Sequence, residues 1–146
     1  MAIDSTVPVR KGVVLALAGD TRVTKIVPAS RIFAMTAASP AWPFILYGSP
    51  SNIPLRATCL DGGELVVAVH GFAKARQNVA GSTIETAEDH AGRIGAAIAK
   101  VLDGRRIDVP GGHAKIAWTG SQLLIDGAEA DAFHCVVNLR VRCITR

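Results

Sequence analysis

Between Ala132 and Thr145 the chain alternates. Phe133, Cys135, Val137, Leu139, Val141 and Cys143 fall on one side, and His134, Val136, Asn138, Arg140 and Arg142 on the other. A period of two sustained this long predicts a strand with one face on the core. A slip of one residue would bury both arginines, so the cost of burying charge fixes the register. A different period appears at Ala87, Ala91, Ile94, Ile98 and Val101, with Glu88, Asp89, Arg93 and Lys100 on other faces. That spacing predicts an amphipathic helix. Thr86 followed by Asp89 resembles a capping box, and Gly104 supplies the stop. Gly92 and Gly95 inside this helix each cost about 1 kcal/mol relative to alanine, which predicts close packing there.

Weaker patterns supply the remaining elements. Val9, Val13, Ala16 and Leu17 recur at helical spacing between Pro8 and Gly19. Asp20 can cap a short turn carrying Val23 and Ile26, which Pro28 ends, and Arg31-Ile32-Phe33 reads as a short strand. Pro43 to Tyr47 reads as a strand closed by Gly48, and Glu64 to Ala73 as its antiparallel partner. Between them, Gly48 to Gly63 holds Pro50, Asn52, Pro54 and Asp61-Gly62-Gly63, which read as a long connection ending in a turn. Connections beyond about 12 residues tend to be functional. Its Ile53, Pro54, Leu55 and Arg56 are the candidate partner contacts, on a hairpin arm reaching beyond the subunit or, alternatively, folded back on the subunit's own core. A further strand is predicted from Lys115 to Ile125, broken near Gly120. The order defines an α+β fold, an antiparallel β-sheet with helices packed on one face and a long β-hairpin arm, in a single domain over residues 1–146.

Composition narrows the class. With 49 % hydrophobic and 19 % charged residues the chain is far from a disordered one, and part of its apolar surface is expected at an interface. Runs such as Leu65 to Val69 are far short of the roughly 18 residues a spanning helix needs. Met1 to Pro8 contains Asp4 and no positive n-region, so no secretory signal is expected and the default compartment is cytoplasmic. A net charge of +4, spread along the chain, permits contact with nucleic acid without predicting it.

Catalytic chemistry finds little support. His70, His90, His113 and His134 share no ligand spacing, and His134 and Cys135 point to opposite faces of one strand, so no metal or organic cofactor is expected. Cys59, Cys135 and Cys143 form no close-spaced pair. Cys59, in the long connection, is the one candidate nucleophile, without a flanking signature. Asp61-Gly62-Gly63 and Pro110-Gly111-Gly112-His113 precede strands rather than helices and lack phosphate-loop spacing. Glu85, Glu88 and Asp89 open a helix, where they meet the positive end of its dipole. The basic face with Asn138, Arg140 and Arg142 is the candidate DNA-channel or solvent face, although no aromatic is interleaved with it for base stacking.

The ordered set of segments resembles the tail-completion or tail-terminator proteins of long-tailed, siphovirus-like phages and gene transfer agents. The carrying residues are the leading helix, the turn with Val23 and Ile26, Arg31-Ile32-Phe33, Pro43-Phe44-Ile45-Leu46-Tyr47-Gly48, the strand through Val69 to Phe72, the helix from Glu85 to Leu102 with Asp103-Gly104, and the terminal strand rich in Val and Arg. The resemblance implies a ring, usually a hexamer of the chain itself, that caps the tail tube. Its implied partners are the major tail tube protein and the head-closure or stopper protein of the neck. It carries over no catalytic residue and no cofactor. The rival readings are a binding or adaptor domain unrelated to phage, and an enzyme whose site exists only in the fold.

Overall fold

The computed structural model describes residues 4–35, 38–48, 50–57, 60–129 and 131–145. Helix α1 (Thr6–Ala18) and the single turn α2 (Thr21–Thr24) lead through a 3-10 turn at Ala29–Arg31 into β1 (Ile32–Phe33) and β2 (Phe44–Tyr47). Then come β3 (Ser51–Ala57), β4 (Leu60–Lys74), β5 (Arg76–Gln77), β6 (Thr83–Glu85), α3 (Ala87–Leu102), β7 (Arg106–Val109), β8 (Gly112–Ile125) and β9 (Ala132–Thr145). Seven strands form one mostly antiparallel sheet in the order β1-β2-β4-β9-β8-β7, with β3 also paired to β4, while β5 and β6 stand apart as a two-stranded unit.

The terminal strand behaves as its alternation predicts. Cys135, Val137, Leu139, Val141 and Cys143 are buried, Phe133 packs against the core, and Arg140 and Arg142 are exposed. Opposite them Leu65, Val67 and Val69 of β4 and Ala114 and Ile116 of β8 complete the inner face, covered by Val9, Val13 and Leu17 of α1 and Ile94, Ile98 and Leu102 of α3. The other face carries no helix, because α1 and α3 each have one apolar stripe and both stripes go to the same side of the sheet.

Local chemistry places the ends. The Asp20 side chain accepts from Arg22 N–H and Thr86 Oγ1 from Asp89 N–H, so both helix starts are capped as read. The β7–β8 hairpin turns through Pro110 and Gly111, whose φ of +79° suits glycine at the third position of a type II turn. The break in β8 is a register shift between Trp118 and Gly120.

The Gly48–Gly63 connection differs from the sequence expectation. Most of it is strand β3, in register with β4 from Ser51↔Val66 to Ala57↔Leu60. Asp61-Gly62-Gly63 is therefore not a turn but the start of β4, paired to β3 on one side and to Ile144 and Cys143 of β9 on the other. The glycines are used for closeness rather than for bending: a Cβ on Gly62 would collide with the Cys143 carbonyl oxygen, and one on Gly63 with Asn52 Oδ1. Cys59 lies outside the described residues.

The two helix glycines divide. A Cβ on Gly95 would run into Cys135 Sγ, so α3 sits on β9 only because that position is glycine, whereas Gly92 has open space around it. Gly92→Ala is expected to stabilise the fold by up to about 1 kcal/mol through helix propensity. Gly95→Ala is expected to destabilise it by about 1–3 kcal/mol through overpacking. Urea titration of both variants checks the sign, and equal shifts would refute the packing at Gly95.

Candidate functional site

The helix-free face of the sheet gathers the chemistry that the sequence suggested piecemeal. Register places Lys115, Arg142, Glu64 and Ile53 in one row across β8, β9, β4 and β3, and Ala117, Arg140, Val66 and Ser51 in the next. Arg140 Nε lies 3.7 Å from Glu64 Oε1 with both side chains partly in solvent, a contact worth about 0–1 kcal/mol. Three cations and one carboxylate meet here around a shallow depression of about 270 Å³. Asn138 sits one pair further on, opposite Ala68 and Gly120, and Thr119 Oγ1 donates to its carbonyl at 3.1 Å.

The two groups of residues singled out in the sequence thus partly converge. Ile53 and Leu55 share a face with Arg140 and Arg142, because Ile53 is paired with Glu64 and Leu55 with Gly62, which oppose Arg142 and Ile144. Pro54 and Arg56 point to the other side by alternation. Ile53 is 62 % exposed, so it does not fold back onto this subunit's core.

Sequence reasoning missed what lies at the opposite end of the same face. Trp42, Phe44, Phe72, His70 and His134 form a contiguous cluster of rings. Phe44 stacks on Phe72 at 4.6 Å between centroids, and Phe72 on His134 at 4.9 Å. Trp42 meets Phe44 edge-on at 5.1 Å, and Lys74 Nζ sits 4.8 Å over the Trp42 ring. No local signal could show this, since the rings come from three segments that only the β2–β4–β9 registers bring together. The absence of aromatics inside the basic strand is therefore offset by rings on neighbouring strands, but these stack on one another and Phe44 is buried. Burial, with His134 nearby, lowers the His70 pKa below its ordinary value, which favours the neutral ring in the folded state.

The two described cysteines are not activated by the fold. Burial raises the thiol pKa of both Cys135 and Cys143, the opposite of what a reactive thiolate needs. Among the described residues no group of three His, Cys, Asp or Glu side chains could hold a metal ion. None of the described helices is long and apolar enough to cross a membrane.

A second concavity lies on the helix side. Gly92, Ala96 and Ala99 of α3 and Trp118 and Leu123 of β8 line an open, mostly apolar groove of about 590 Å³ with Cys135 at its floor. Trp118 is 47 % exposed, and its indole N–H donates to Ser121 Oγ at 3.0 Å.

The described residues of this apolar-rich α+β domain bring together basic, aromatic and apolar surfaces. The sequence family described as tail completion protein gp17 matches residues 11–144, and the chain belongs to that family. It is thereby a structural tail protein. Among solved structures, a chain described under "Virion of native gene transfer agent (GTA) particle" is similar in fold. The TM-score is 0.74 at 13 % identity, over 94 % of this chain and 95 % of that one. No curated protein matches significantly.

Proposed function

We propose that the chain, acting as one domain over residues 1–146, forms a ring that caps the tail tube and joins it to the neck, without catalysis and without a cofactor. Family membership across residues 11–144 is the observation that carries this reading. Six copies is the ring number implied by the family resemblance. The partners are further copies, the major tail tube protein and the head-closure or stopper protein, and the ring assembles in the host cytoplasm without contacting membrane. The helix-free face with Asn138, Arg140 and Arg142 turns toward the DNA path, where the cationic row of Lys115, Arg140 and Arg142 contacts phosphate without reading sequence. The hairpin through Ile53, Pro54, Leu55 and Arg56 meets a ring neighbour or the tail tube.

Changing Arg140 and Arg142 together to Ser tests the DNA role. Tails complete normally in this reading, while packaged DNA is lost or its passage fails. Particles with wild-type DNA content and delivery, scored by electron microscopy and transfer assay, would remove the role of these arginines. Particles that lack completed tails would contradict the proposed division between assembly and DNA contact.

A further inference from the structure

Arg76 to Glu85 fold as a hairpin outside the main sheet. Its turn is self-sufficient: Asn78 N–H donates to the Ser82 carbonyl at 2.9 Å, Ser82 N–H to Asn78 Oδ1 at 2.9 Å, and Gly81 adopts φ +85°. At its foot Glu85 receives Arg93 Nε and NH2, each at 2.9 Å, and lies 3.4 Å from Arg76 NH1, which tethers the hairpin to α3. Yet every residue from Arg76 to Ile84 is exposed, including Val79 at 109 % and Ile84 at 57 %. This projection leaves most of its apolar surface, the Val79 tip above all, uncovered within its own chain.

The sheet has a matching vacancy. β7 covers only Gly112 to Lys115 of β8, and Arg105 and Gly104 exchange backbone bonds with Ile116, so beyond the Trp118/Gly120 bulge no described strand lies on the outer edge of β8. Edges left open normally carry proline or charge, as β3 does with Pro54 and Arg56. Thr119 to Ile125 carries neither and ends in Leu123-Leu124-Ile125, with Ile125 75 % exposed. Beside this edge runs the groove between α3 and β8, and none of its lining residues comes from the hairpin.

We propose that the β5–β6 hairpin of one copy docks on the β8 edge of the next, with Val79 and Ile84 entering the groove formed by Gly92, Ala96, Trp118 and Leu123. The occupant is a second copy because the chain itself carries both halves of the contact. Gln77 to Ile84 and Thr119 to Ile125 are both free of charged residues, so the strand pairing itself brings no ion into the contact, and the charges of the adjoining groove are those of Lys100 and Asp103. Backbone pairing along an open edge, with apolar side chains in an adjacent groove, is a known mode of strand addition. The two patches differ, so the contact is heterologous and propagates head to tail, as a closed ring requires. The inference rests on the ring reading and adds the surfaces that would close it.

The test co-expresses chains carrying Val79→Cys with separately tagged chains carrying Ala96→Cys, both in a Cys59→Ser background. Oxidation is expected to yield a disulfide between differently tagged chains, read by mass spectrometry. Val79→Ser with Ile84→Ser, both exposed and so compatible with folding, is expected to raise the half-assembly concentration at least about tenfold with unchanged melting temperature. Oligomers that form without the mixed disulfide, and that tolerate the double serine change, overturn this interface while leaving the ring standing. A hairpin that cross-links to tail tube or neck protein instead of another copy overturns it as well. A chain that stays monomeric at every concentration and on tail tubes overturns both readings.

Discussion

Val137→Asp is expected to prevent folding, while Arg140→Ser is expected to leave stability within about 0.5 kcal/mol of the parent. Val137 is wholly buried in β9, flanked by Val69 of β4 and Ser121 of β8. Removing it forfeits about 1.5–3 kcal/mol of apolar burial. The carboxyl that replaces it enters a core that is aliphatic apart from Ser121 in register beside it, and burying it without a full set of partners costs about a further 2–7 kcal/mol. Together these come to about 3.5–10 kcal/mol, enough to consume most or all of the stability of a domain in the lower half of the usual roughly 5–15 kcal/mol range. Arg140 has a side chain 58 % exposed and only a 3.7 Å contact with Glu64 to lose. Circular dichroism and denaturant titration of the two variants decide the matter. Comparable losses would mean that β9 faces the other way.

Ile53→Asp is expected to change stability by less than about 0.5 kcal/mol and yet to stop tail completion. Ile53 is exposed on the helix-free face, beside Glu64 in register and one strand from Arg142. A carboxylate there stays in solvent in the free subunit, but would be desolvated against whatever the hairpin meets in the assembled tail. Completion assays on purified tail tubes, with melting curves alongside, read the two effects separately. Full completion by the variant would remove Ile53 from the proposed contact, and a large drop in melting temperature would place it in the subunit's own core instead.

How far the fold could be read from the chain depended on how long each pattern ran. β9 and α3 carry their periods over more than ten residues, and their bounds and buried faces match the reading. The short strands β5, β6 and β7 are not legible in the sequence, because two to four residues display no period and these lack the apolar runs that mark the equally short β1 and β2. β3 was read as loop because Pro50, Asn52 and Pro54 are turn residues. Pro54 is tolerated since the outer edge of β3 is unpaired, a tertiary fact that no local signal contains. The candidate site follows the same rule. Arg140 and Arg142 were visible through alternation, whereas Lys115, Glu64 and the stacked rings join them only through register between distant segments. The Gly95 contact was anticipated from propensity alone, and the openness of Gly92 was not.

The pairing of β4 with β9 also governs when the molecule can exist. The hydroxyl of Thr145 donates to the carbonyl of Asp61, 84 residues earlier, and fourteen register pairs run from that point to Lys74↔Ala132. β9 lies between β4 and β8, so the middle of the sheet leaves the ribosome after every other described element. Until then β4 and β8 have no common neighbour, and α3 lacks the central strand of the surface it covers. Closing loops this long before the reward of contact makes the search slow. Subunits are therefore expected to close their sheet only once β9 has been made, and to join a tail as finished pieces rather than as partly folded chains.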